Sequence, residues 1–441
     1  MAPSWLWVEP GWSSIGPVQI PVLRMNTVVS FAFLLPHMLQ AYFLVKPQTS
    51  STRLVRRILM ILSVSACIQI GSASLIDSRS MTYNFGIIIA WLVVLLRSVE
   101  WGMSEEPYIR VGLDKKEREK LEARPQDPTR WICDAAHLFF SMQGAGWNWG
   151  IPISRLPPPL PQDLGPFLLQ WSFSFVIRVA TLFVSLRTLV AVRDSKSGDD
   201  LIRSFGLTPS PPVRIVSILI QSAAVANLWA SMMALDWLVG VGTWRLINPI
   251  FRLILPQSIA PPPFETRAWP RVLKNEWAAE SVQDFWSRKW HSIFRRTFVF
   301  HGAIPMGKLF AMLFGRRARK TGQVVGAFLI SGLMHEFALD IASVKAGKGG
   351  DWSLRTTLFF LVQPVIFVLE DLWYKVMGRK VGGPIGFAWA LLWLCASSSF
   401  AAQCWIQHGL MDGLPANWRD WTWHDVLIGE PISGVVKAVE G

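Results

Sequence analysis

Residues 322–343 read GQVVGAFLISGLMHEFALDIAS, a run of helix-spanning length with no Lys or Arg. As an α-helix, such a run crosses a hydrocarbon core about 30 Å thick. Yet it carries His335, Glu336 and Asp340. Insertion scales charge about 2.5–3.5 kcal/mol for a central Asp and return about 0.3–0.6 kcal/mol per Leu or Phe. Two acids therefore cancel roughly ten apolar residues, and this helix does not face lipid all round. Its polar side looks into a bundle, or Asp340 escapes to the interface. His335 shares a face with Ser331, whereas Glu336 points roughly 100° away, so their adjacency in sequence does not make a His–Glu dyad. Ionisable residues at membrane depth are functional candidates by default. The plainer alternative for His335 is a hydrogen-bonded ring that locks helices together.

The rest of the chain has the same character. Of its 441 residues 51% are hydrophobic, and 24 are Trp. Candidate spans are 22–45, 56–76, 82–99, 166–190, 213–241, 322–343, 354–374 and 384–408. The stretch 298–314 is apolar but holds His301 and Pro305 and runs at once into GRRARK. Loops 46–57, 97–165, 244–297 and 375–380 are basic, and Lys and Arg accumulate in cytosolic loops. With all of these cytosolic, 298–314 is expected to be re-entrant or buried. The expectation is an all-α polytopic membrane protein with about eight transmembrane helices, a single domain over 1–441, and both ends lumenal. Loop 191–212, with Arg193, Lys196 and Arg203, opposes that orientation. The net charge of +13 has its account in the positive-inside rule rather than in nucleic acid. The first apolar run follows no basic n-region and no small-residue cleavage site, and reads as a retained signal-anchor. Cys67, Cys133, Cys395 and Cys404 have no metal-ligand spacing, and neither a metal site nor a disulfide framework is expected.

The main polar interruption is NEWAAESVQDFWSRKWHSIFRR, residues 275–296. Taken as a helix over 281–296, it places Trp286 above Trp290 and pairs Asp284 with Arg288. It also puts His291 between Ser287 and Arg295. By periodicity alone this is equally an amphipathic interfacial helix, with tryptophans among headgroups and Arg288, Lys289, Arg295 and Arg296 meeting lipid phosphate.

The block ESVQDFWSRKWH, followed by a span with SGLMHEF, resembles the wax-synthase branch of the membrane-bound O-acyltransferases. The upstream GAGWNW, residues 144–149, is similar to that family's R-G-x-G-W block. Ser287 stands where Gly is common, and Gln143 where Arg is common, which removes a phosphate partner there. The resemblance implies a helical bundle with a central tunnel and a catalytic core over 267–343. It implies transfer of an acyl group from acyl-CoA, a co-substrate rather than a bound cofactor, to a hydrophobic alcohol at the endoplasmic reticulum. The size and the proline-rich insert RLPPPLPQDLGP point among relatives to fungal enzymes acetylating terpenoid or meroterpenoid alcohols in secondary metabolism.

Such chemistry needs a base for the hydroxyl proton and a donor to the developing oxyanion. The resemblance makes His335 the base and His291 the group that positions the thioester or stabilises the oxyanion, with Asp284 orienting Arg288 or His291. Arg288, Lys289, Arg295 and Arg296 are then candidates for the coenzyme A phosphates, since Arg suits bidentate phosphate contact. Trp286, Trp290, Ser331 and Glu336 are candidates for the substrate channel. Three alternatives stay open. The first is a long-chain acyl-CoA:alcohol or sterol acyltransferase. The second is an aromatic prenyltransferase, for which paired Asp-rich clusters are missing. The third is a transporter with a His335–Glu336–Asp340 proton relay, for which inverted repeats are missing.

Overall fold

The computed structural model describes residues 8–15, 18–25, 34–72, 81–123, 126–152, 155–195, 197–257, 259–345 and 353–412. Two short strands, β1 (Val8–Ile15) and β2 (Val18–Met25), pair antiparallel. The helices that follow are α1 (Leu35–Val45), α2 (Ser50–Ser72), α3 (Met81–Met103), α4 (Lys115–Ala123), α5 (Pro128–Phe140), α6 (Leu164–Asp194) and α7 (Gly198–Ser204). After these come α8 (Pro211–Ile254), α9 (Arg295–Phe314), α10 (Arg319–Lys345), α11 (Arg355–Met377) and α12 (Gly383–Gln407).

Among the described residues, seven helices are long and apolar enough to cross a membrane, in α3, α6 and α8 through α12. The chain is a multi-pass, helical membrane protein, with the N-terminal hairpin as its exception. That hairpin corrects the expected span 22–45. Residues up to Met25 belong to β2, 26–33 lie outside the described residues, and the helix covers only Leu35–Val45. Gly16-Pro17, a turn signal, stands just before the apolar run, whose first residues are the end of β2. The expected span 56–76 is the helix α2, whose first turns carry Arg53, Arg56 and Arg57, and it is not among the seven. The chain after Asp412 lies outside the described residues.

The stretch 298–314 belongs to the helix α9, whose length and composition suit a crossing. Two glycines set its packing. A Cβ on Gly302 would meet the Gly326 carbonyl oxygen at 2.1 Å, and one on Gly326 would meet the Gly302 oxygen at 2.2 Å. α9 and α10 therefore touch backbone to backbone, as small residues permit between helices in lipid. The main core gathers Phe85, Leu189, Leu228, Leu339 and Trp405 from α3, α6, α8, α10 and α12.

Candidate active site

Helix α10 delivers His335 to the interior. Its Nδ1 lies 2.7 Å from the Ser331 carbonyl oxygen one turn earlier. A carbonyl only accepts, so Nδ1 carries the hydrogen, and in the neutral ring Nε2 holds the lone pair. Phe85, Phe360 and Trp405 surround the ring, with centroids 6.1, 4.8 and 6.4 Å away. Glu336 turns elsewhere, as the helical angle requires: its Oε2 accepts from the Thr357 backbone N–H at 3.0 Å and from the Thr357 hydroxyl at 3.3 Å, both on α11.

The polar block is not the continuous helix expected over 281–296. One helical turn, Val282–Asp284, opens into a wider turn, Phe285–Lys289, and Trp290 is extended with φ −76° and ψ 164°. Helix resumes only at Arg295. The cause is tertiary. Glu370 of α11 takes the backbone N–H groups of Val282 and Gln283 at 2.7 and 3.0 Å. Gln363, two turns earlier on α11, accepts from Trp286 Nε1 at 3.1 Å. The ring of Trp290 folds back on Phe285, with centroids 5.1 Å apart. These contacts put His291 on a bend, with its Nδ1 buried and without a hydrogen-bond partner. Burial and the nearby His335 push its imidazole down to about 3, so it is neutral at ordinary pH. Next to it, Ser292 Oγ accepts from Gln143 Nε2 at 2.9 Å. Gln143 thus braces the histidine bend.

The two histidines border one cavity of about 1520 Å³. Ser331, Trp286, Trp290, Arg288 and Arg295 line it too. Asp284, Lys289, Arg296 and Glu336 stand off the lining. Asp284 pairs with Arg288 at 3.6 Å, as the spacing predicts, and with Lys289 at 4.0 Å. Arg296 bonds Glu100 at 2.6 Å and the Tyr108 hydroxyl at 3.1 Å, a partly buried network tying α9 to α3 and the loop after it. Sequence reasoning passed over Arg155, Lys274 and Lys320, which also line the cavity. Isolated cations in loops and helix ends carry no spacing signal, so only the fold gathers them.

Comparison with known proteins adds sequence similarity to this geometry. Residues 269–362 match the Membrane bound O-acyl transferase family. The similarity to that family covers this segment, which holds both histidines. It is 25% identical to Acetyltransferase ple2 of Rhodocybe pseudopiperita over 60% of this chain and 63% of that one. It is 30% identical to Acetyltransferase sirH of Emericella nidulans over 29% of each. A protein of Arabidopsis thaliana named Probable long-chain-alcohol O-fatty-acyltransferase 2 is 31% identical over 25% of this chain and 33% of its own length. The chain thus spans less than two thirds of the length of these curated relatives. No solved structure matches.

Proposed function

We propose that the protein transfers an acetyl group from acetyl-CoA to a hydroxyl of a hydrophobic, terpenoid-type alcohol. The observation that carries this reading is the shared cavity of His291 and His335. His335 Nε2 removes the hydroxyl proton, since Nδ1–H is held by the Ser331 carbonyl. The alcohol oxygen attacks the thioester carbon, and the carbonyl oxygen gains charge. His291, neutral and unpartnered at Nδ1, offers its ring to orient the thioester or to donate to that oxygen. Arg288 and Arg295 on the lining, with Lys274 and Lys320, hold the phosphates of the donor, and Trp286 and Trp290 wall the acyl path. Asp284 holds Arg288 and Lys289 in place. The thiolate leaves with the proton that His335 received. The membrane is proposed to be that of the endoplasmic reticulum.

A second reading, long-chain acyl transfer to a long-chain alcohol, is favoured by the name of the Arabidopsis thaliana relative and by the cavity's many Phe and Trp walls. The full chain in detergent, given labelled acetyl-CoA or palmitoyl-CoA and a panel of alcohols, decides. Label in an acetate ester supports the first reading. Label only from palmitoyl-CoA supports the second, and label in no ester removes both.

A further inference from the structure

Three indole nitrogens are buried without a hydrogen-bond acceptor among the described residues, those of Trp149, Trp229 and Trp237. Of the three, Trp229 alone lines the cavity. Its ring lies 4.9 Å from Phe85 and 5.1 Å from Trp405, and both of those rings flank His335. The other indole of this cage is already used, because Trp405 Nε1 donates to Thr356 Oγ1 at 2.9 Å. An indole N–H only donates, and burying it unpaired is costly unless something else fills the place.

Trp229 belongs to a stripe. Ser222 and Asp236 lie seven residues to either side on α8, and both line the same cavity. Seven residues are two helical turns, so neighbours in the stripe stand about 10 Å apart along one face. Ser222 Oγ is buried with no partner, and Asp236 is exposed on the lining, its carboxylate open to what enters the cavity. The lining between them is apolar, with Val225, Ala226, Met232 and Met233. A greasy wall with a donor beside the base and an acceptor two turns away is a template for an apolar molecule with oxygens at set positions.

We propose that this face of α8 recognises the acceptor, a rigid apolar molecule whose reacting hydroxyl meets Trp229 beside His335 and whose second hydroxyl, about 10 Å away, meets Asp236. The inference rests on the acyl-transfer reading and names its substrate class. A hydroxyl has one proton and two lone pairs. The proton goes to His335 Nε2, one lone pair accepts the Trp229 N–H, and the other attacks the thioester carbon. The O–C bond forms, the C–S bond breaks, and His335 returns the proton to the thiolate. Asp236 stays outside this exchange and accepts a hydrogen bond from the second hydroxyl. A linear alcohol leaves that carboxylate against hydrocarbon, which is unfavourable. The stripe therefore selects a polyoxygenated acceptor over a long-chain one.

The test uses the purified full-length protein, a rigid steroid diol with hydroxyls at its two ends, and the mono-ol that lacks the distal hydroxyl. Binding is read by ligand-dependent thermal stabilisation and turnover with labelled acetyl-CoA. Wild type is expected to bind the diol roughly tenfold more tightly than the mono-ol, and Asp236→Ala to bring the two within about twofold. Should the Ala variant not fold, Asp236→Leu carries the same expectation and suits a membrane helix better. Trp229→Phe keeps the ring, and is expected to raise KM for the alcohol roughly fivefold while KM for acetyl-CoA stays put. A wild type that does not distinguish the two alcohols, a preference that survives at Asp236→Leu, or a change confined to acetyl-CoA overturns the stripe. Binding needs no turnover: diol preference without acetyl transfer keeps the stripe and removes the reaction, and transfer without preference does the reverse.

Discussion

The two histidines occupy opposite kinds of backbone. His335 sits in the middle of the unbroken helix α10, where Nδ1 finds the carbonyl of Ser331 within its own helix. His291 sits on a bend between a widened turn and the start of α9, and its Nδ1 finds nothing. A regular helix fixes one tautomer without outside help, which suits a group that must present the same lone pair at every turnover. A bend leaves the ring to be completed by what binds. In the proposed reaction the helix supplies the base, and the irregular segment supplies the side that meets a substrate.

The largest effect expected from this contrast is at His335. His335→Ala should lower turnover about 10³-fold, in the range for loss of a general base, with an unchanged elution profile. His335→Gln should not rescue it, because an amide accepts no proton. Should the Gln variant turn over at near-normal rate, the ring is only a helix lock. His291→Ala should cost about 10²-fold, as misplacement of a reactant does, with most of the loss in kcat. If His291→Ala costs more than His335→Ala, the assignment of base and positioner is reversed.

Arg295 and Arg296 sharpen the comparison at neighbouring positions of one motif. Arg295 lines the cavity, whereas Arg296 is engaged with Glu100 and Tyr108. Arg295→Ala should raise KM for the acyl donor roughly fivefold, an effect that shrinks with added salt. Arg296→Ala should leave that KM near wild type and instead destabilise the fold by about 3 kcal/mol, since it strips buried Glu100 of its cation. Donor KM and the thermal midpoint of each variant read the two effects separately. The opposite pattern would put Arg296 at the donor.

What the sequence made legible follows the same division. The spans of α3, α6 and α10 through α12 and the separation of His335 from Glu336 depend on hydropathy and helical angle, which are local properties. The break at Trp290 was not legible, because no Gly or Pro marks it and the segment's partners, Glu370 and Gln363, lie some seventy residues or more downstream. The end of the hairpin was hidden in an apolar run, since β2 reaches Met25. The α8 stripe was missed for a different reason: Ser222, Trp229 and Asp236 are ordinary polar interruptions of a long helix until the fold sets them along a shared cavity. The Asp284–Arg288 pair was found correctly by spacing, yet whether either faces the cavity was not a matter of spacing.

The smallest expected effect is on acid stability, and its sign is fixed by burial. Outside the membrane-spanning helices, burial and His335 hold His291 at about 3, burial and Arg97 hold His37 at about 3, and burial and Arg110 hold His137 at about 3. In the unfolded chain each ring titrates near about 6.5. Below that pH the unfolded state takes up protons that the folded state refuses, so stability is full above about 6.5 and falls as the pH drops toward about 3. The thermal midpoint should be level from about pH 7 upward and decline below about pH 6.5. His291→Asn should flatten that decline by one buried ring's share, while its loss of turnover is already present at neutral pH. An undiminished slope in His291→Asn would mean that the ring on the bend reaches water in the resting protein. The bend would then open to solvent before a substrate closes it, and the contrast with the sealed helix would be sharper still.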